Sequence, residues 1–218
     1  ISVRLVGSEM CIRDRSGSGS GMEALVLAQR NHRLPHETVV VVSNKSAAQG
    51  LERAERLGVP TVVVEHGENE HRLTREEHEL KVLAALEAYD VELIVLSGYM
   101  RLLSPTFLKR WPHRVVNIHP SLLPQFPGAH AHRDVLHSGA SVSGCTVHMV
   151  DEGMDSGARL AQCPVPVFSD DTEATLAARI KIEEHRLYPE VLTWIAEGRV
   201  HLTEHGLEVE GVEDRLVH

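Results

Sequence analysis

Asn117 and His119 stand two residues apart in the segment 115–120 (VVNIHP). On an extended strand that spacing puts both side chains on one face. An asparagine amide can donate a hydrogen bond to a developing oxyanion. A histidine titrating near neutrality can move a proton, or steady the oxyanion as imidazolium. The pair suits acyl transfer to an amine. Pro120 ends the strand, and residues 121–124 (SLLP) form a shaped loop. Asp155 lies in a second polar stretch, 151–157 (DEGMDSG). A carboxylate beside a histidine favours its charged form and fixes its orientation. The bland alternatives are a satisfied polar pair at a strand end and a Gly/Asp-rich surface turn. EF-hand spacing is not met, so calcium is discounted.

The run 16–21 (SGSGSG) precedes a helix expected to begin near Met22. Glycines let the backbone approach an anion, and a helix N-terminus offers free N–H groups and a favourable dipole. Dinucleotide spacing would require glycine where Met22 stands. The following strand ends in Ser43, Asn44 and Lys45, with no acid for a ribose diol. P-loop spacing is also absent. A flexible Gly/Ser turn is the competing reading, and the helix that follows favours phosphate binding. There are 15 histidines, but His130 and His132 lack a third ligand at convincing spacing, and no metal is expected. Cys145 and Cys163 carry no local signature of a nucleophile and read as buried small residues.

The elements that must position these groups alternate in type. Strands are expected at 38–43 (TVVVVS), 60–65 (PTVVVE), 91–97 (VELIVLS) and 114–119 (RVVNIH). Helices are expected at 47–57 and from a Thr74 cap, with Glu77 three residues on, to about Tyr89. Continuously apolar strands separated by helices imply an α/β domain with a doubly wound, mostly parallel sheet, covered on both faces. Residues 146–150 and 158–167 read as a hairpin-like addition that makes the second half β-rich. A long late helix follows from about Thr172 to Ala196, then a weak polar tail. Residues 1–15 form an anomalous segment and 16–218 a single domain. Residues 10–15 (MCIRDR) have little strand character where a strand should feed the glycine run. Residues 8–15 (SEMCIRDR) read as a translated adapter fragment replacing a native first strand. The alternative is a genuine extension with residues 1–6 as the strand.

The chain has 218 residues, 42% hydrophobic and 24% charged, with a formal net charge of -9. That suits a soluble protein with a real core and disfavours general polyanion binding. Three cysteines without paired spacing argue for a reducing compartment. No apolar run approaches a membrane span, and no signal-peptide pattern opens the chain. The expectation is a cytoplasmic enzyme of small molecules, without nucleic acid or membrane, as a monomer or weak homodimer.

Together, residues 16–22, 43–54 (SNKSAAQGLERA), 97–105 (SGYMRLLSP), 117–128 (NIHPSLLPQFPG), 144–157 and 184–189 (EHRLYP) resemble the glycinamide ribonucleotide formyltransferase family in order and spacing. The resemblance runs from about Ser16 to Arg199. It implies a Rossmann-like formyltransferase fold, with a nucleotide-binding first half and a catalytic, folate-binding second half. It implies formyl transfer from 10-formyltetrahydrofolate, as co-substrate, to 5-phosphoribosylglycinamide in purine (IMP) synthesis, without a metal. By the same resemblance Asn117, His119 and Asp155 are catalytic. Gly19, Ser20, Gly21, Met22, Glu23, Lys181 and Glu184 bind the nucleotide substrate. Arg75, Met100, Arg101, Leu102, Leu103, Asn117, Asp151, Glu152, Gly153, Met154 and Asp155 bind folate. Without it, Lys181 and Glu184 read as an exposed helical ion pair. Gly21 stands where the family usually has Asn, and Met149 replaces a usual aromatic beside His148. The rival readings are a formyltetrahydrofolate hydrolase-like enzyme and a non-catalytic nucleotide-binding module.

Overall fold

The computed structural model describes residues 8–14, 19–67, 72–99, 101–203 and 206–212. Residues 16–18 of the glycine run, Met100 of the expected folate set and residues 1–6, the alternative first strand, lie outside them. Backbone contacts divide the chain into two compact units, one ending at Val115 and the other running from Val116.

In the first unit, strands β1 (Ser8–Asp14), β2 (His36–Ser43), β3 (Thr61–Val63) and β4 (Leu93–Ser97) alternate with helices α1 (Ser20–His32), α2 (Gln49–Arg56), α3 (Arg75–Ala88) and α4 (Pro105–Arg110). The strands are parallel, in the order β3-β2-β1-β4. Val40, Val41 and Val42 are all buried, as expected of a strand covered on both faces. Residues 10–15 were expected to have little strand character, yet residues 8–14 form a strand at the centre of this order. Residues 8–14 pair with β2 from Ser8↔His36 to Asp14↔Ser43, and with β4 from Met10↔Leu93 to Asp14↔Ser97. Ladder pairing is a property of the backbone, and two flanking strands outweigh weak local propensity.

The Thr74 cap of α3 is present as a full capping box with Glu77. Glu79 of the same helix is buried and accepts from the backbone N–H and hydroxyl of Ser104. Ser104 in turn caps α4 by accepting from Phe107 N at 3.1 Å. These bonds hold the 101–104 segment against α3.

The second unit holds all but the first residue of β5 (Val115–His119), then α5 (Ala131–Ser138), β6 (Val142–Met149), β7 (Arg159–Pro166), α6 (Glu173–Ala196), β8 (Val200–Thr203) and β9 (Gly206–Val209). Strands β5, β6 and β7 pair antiparallel in that order, and β8 with β9 make a separate hairpin where a polar tail was expected. Helix α6 buries Leu176, Ile180, Leu187, Val191, Leu192 and Ile195 along one stripe. Its Tyr188 hydroxyl donates to the Val116 carbonyl at 2.9 Å, anchoring the helix to the residue before Asn117. Among the described residues, no helix is long and apolar enough to cross a membrane.

Candidate active site

Strand register builds the site. In the β5–β6 pair Asn117 lies opposite His148, and His119 opposite Thr146. Directly opposed residues on an antiparallel pair share a face, so four polar side chains converge. All four are buried: Asn117 is 9% exposed, His119 5%, His148 2% and Thr146 0%.

Asp155 arrives on the turn after β6. Its backbone is left-handed, φ 51°, a conformation aspartate tolerates better than most residues. Gly157 holds the turn down, because a Cβ there would sit 1.8 Å from the Met149 carbonyl oxygen. Asp151 braces the turn from inside, accepting from Gly153 N at 3.0 Å and Ser156 Oγ at 2.8 Å. The Asp155 carboxylate then reaches three groups. Its Oδ2 accepts from Gly128 N at 2.8 Å and lies 3.3 Å from His119 Nδ1, while Oδ1 lies 3.6 Å from His148 Nε2. The expected approach of Asp155 to His119, across 36 residues of sequence, is therefore present.

The other His119 nitrogen, Nε2, lies 2.9 Å from the Phe126 carbonyl oxygen. Both ring nitrogens thus face oxygen acceptors, an arrangement that satisfies a ring carrying both protons. Asn117 Nδ2 lies 3.2 Å from His148 Nε2. Burial holds His148 below the usual histidine range, and the neighbouring His119 pushes the same way. The Met149 carbonyl, Asp155 and Asp151 oppose the shift. Thr146 supports the loop that closes over this group. It accepts from Leu123 N at 3.0 Å and Gln162 Nε2 at 2.9 Å, and donates to Ser121 O at 2.6 Å.

On α6, Lys181 is exposed and Glu184 partly covered. Protein atoms enclose the Glu184 carboxyl, and this desolvation pushes its pKa up to about 7, with Lys181 pulling the other way. His132 on α5 is held low by burial, against Glu173, with His119 and Lys181 adding to the depression. Cys145 and Cys163 are free, buried and opposite each other on β6 and β7. Burial raises both thiols. Among the described residues, no three His, Cys, Asp or Glu side chains cluster as metal ligands.

In the first unit, Gly19 caps α1 with φ 62°, and Ser20 and Gly21 open the helix earlier than expected. A Cβ at Gly21 would stand 3.0 Å from Ser97 Oγ. Met22 is fully buried, and Glu23 pairs with Arg53 of α2. Arg75 is the first residue of α3 and lies near Glu76. Arg101 Nη1 contacts the ring of His66, Leu102 is exposed and Leu103 buried. In the second unit Glu152, Gly153 and Met154 lie on the exposed turn between Asp151 and Asp155.

Sequence reasoning missed the roles of His148, Gly128, the Phe126 carbonyl and Thr146. A signal existed for two of them, since Thr146 and His148 share the period-2 spacing of Asn117 and His119. Their partner strand could not be known without the register.

The formyl transferase family profile matches residues 15–192. The chain is 46% identical over 191 residues to the trifunctional purine biosynthetic protein adenosine-3 of Gallus gallus, covering 88% of this chain and 19% of that protein. It thus spans about a fifth of that relative's length. It is 37% identical over 196 residues to the phosphoribosylglycinamide formyltransferase of Escherichia coli, covering 90% of this chain and 91% of the relative. The crystal structure of glycinamide ribonucleotide transformylase 1 from Symbiobacterium toebii superposes with a TM-score of 0.87 at 39% identity, covering 94% of this chain and 95% of that one. With the antiparallel Asn117–His148 pairing and the Asp155 turn in place, and a profile match over most of its length, this chain belongs to the formyl transferase family.

Proposed function

We propose that the chain transfers the formyl group of 10-formyltetrahydrofolate to the amine of 5-phosphoribosylglycinamide, a step of purine synthesis. One observation carries the reading: Asn117 and His119, both buried, offer hydrogen-bond donors on one face of β5, with the Asp155 carboxylate 3.3 Å from His119 Nδ1.

The substrate amine attacks the formyl carbon, and the carbonyl oxygen takes the electron pair as an oxyanion. Asn117 donates to that oxyanion through its amide. His119 donates through Nε2–H, exchanging the Phe126 carbonyl for the developing charge, while Asp155 balances and aligns the ring at Nδ1. The intermediate collapses by breaking the bond from carbon to the folate nitrogen. That nitrogen gains a proton, and the amine loses one, through a relaying water. Neither a metal nor a covalent enzyme intermediate enters the sequence.

We assign the nucleotide's phosphate and ribose to Gly19, Ser20, Gly21, Met22, Glu23, Lys181 and Glu184. Met22 serves there only through its backbone, because its side chain is buried. The folate is assigned to Arg75, residues 100–103 and residues 151–155. The reaction belongs to the cytoplasm, where Cys145 and Cys163 stay thiols. The test is formyl-folate consumption by the purified chain with and without 5-phosphoribosylglycinamide. Turnover only with the acceptor present, yielding formylated product, is expected. Equal consumption without acceptor would identify a hydrolase, and failure to bind a folate analogue would leave a plain nucleotide-binding module.

A further inference from the structure

We infer that His148 is a positioning residue, which as a neutral ring with its proton on Nδ1 holds the Asn117 amide in the one orientation that leaves an N–H for the formyl oxygen. The inference rests on the reading above that Asn117 meets that oxygen.

The geometry fixes the proton inventory. His148 Nδ1 lies 2.9 Å from the Met149 carbonyl oxygen, which can only accept, so Nδ1 carries a proton. In a neutral ring Nε2 then presents a lone pair. Its neighbour at 3.2 Å is the Asn117 amide, which must therefore offer N–H rather than oxygen. An unconstrained asparagine can turn its amide over and present either group. Here one N–H is spent on His148 and the second is left for the substrate. Both side chains are buried, so water does not compete for the contact.

Protonation would undo the arrangement. An Nε2–H cannot accept from Asn117, and it would face Asp155 Oδ1, 3.6 Å away. The carboxylate would then be drawn from His119 and the Asn117 amide released. The groups acting on the ring are Asp155 and Asp151 from the turn, His119 on β5 and the Met149 carbonyl on β6. Opposite on β7, Arg159 lies 3.3 Å from the Leu123 carbonyl oxygen. The sign follows: activity is retained while His148 is neutral, and this contribution is lost as pH falls and the ring takes its second proton.

The experiment compares His148→Gln and His148→Leu in the full chain, with kcat and KM for both substrates across pH and thermal melts to establish folding. Glutamine can return an oxygen acceptor to Asn117, and leucine cannot. Leucine should lower kcat by about 10- to 100-fold with little change in KM. Glutamine should recover most of the loss and remove part of the acid limb. Equal losses in both folded variants, or wild-type kcat in the leucine variant, overturns the inference. Nitrogen-15 NMR of the wild-type ring decides independently of folding or turnover. An unprotonated Nε2 at neutral pH is expected, and a protonated one refutes the positioning role even in an active transferase. Absence of transferase activity in the wild type would instead overturn the functional reading, and with it this role.

Discussion

Replacing Asp155 by asparagine removes a charge and almost no volume, so it isolates the electrostatic part of the site. Asparagine tolerates the left-handed backbone at φ 51°, and its amide oxygen can still accept from Gly128 N. The fold should survive with a small change in melting temperature. What disappears is the carboxylate 3.3 Å from His119 Nδ1, between side chains that are 15% and 6% exposed. At an effective dielectric of about 20, opposite unit charges at that separation attract by ~5 kcal/mol. Residual exposure and reorganisation reduce this, and if half survives, the loss of about 2.5 kcal/mol is about 70-fold in rate. Steady-state kcat at saturating substrates, with circular dichroism as a folding control, measures it. The fall should appear mainly in kcat, because Asp155 acts on a charge that the transition state needs. A folded Asp155→Asn enzyme within about threefold of wild-type kcat would refute the reasoning.

Asn117→Ala removes an oxyanion donor and should lower kcat by about 100- to 1000-fold, read in the same assay. Thr146→Val strands the Leu123 N–H and Ser121 carbonyl, both buried in the loop, and should cost about 1–3 kcal/mol in denaturant unfolding. Gly157→Ala must move the turn bearing Asp155, since its Cβ would strike the Met149 carbonyl, so kcat and stability should fall together. Glu184 has a folded pKa of about 7, raised above its unfolded value. Its proton therefore stabilises the fold at low pH, and that contribution is lost as pH rises from about 4.5 through about 7. Glu184→Gln should gain up to ~3 kcal/mol over wild type at pH 8, less the screening by solvent, and the gain should vanish near pH 4; urea titrations at the two pH values check it.

Residue types and spacing made the first unit legible. Apolar strands such as 38–43 alternate with helices carrying readable caps, and Thr74 with Glu77 behaves locally as its capping box requires. Helix α4 also carried a signal, Ser104 before Pro105, that could have been read. Helix α5 carried less, since no side chain caps it at His130. The strand at 8–14 was not legible in residues 10–15, because its pairing with β2 and β4 on either side imposes it.

At the site, the sequence alone determined which groups could do the chemistry. Period-2 spacing sets Asn117 and His119 on one face wherever the strand ends up. Tertiary structure decided the rest. The partner of Asn117 depends on an antiparallel register set by chain 31 residues away, and the reach of Asp155 depends on a left-handed turn pinned by Gly157. The environment of Glu184 depends on what packs around α6. Local patterns encode conformation and facing. Register, burial and the proton positions they impose arise only when distant segments meet, because each depends on the field and the excluded water of the assembled interior.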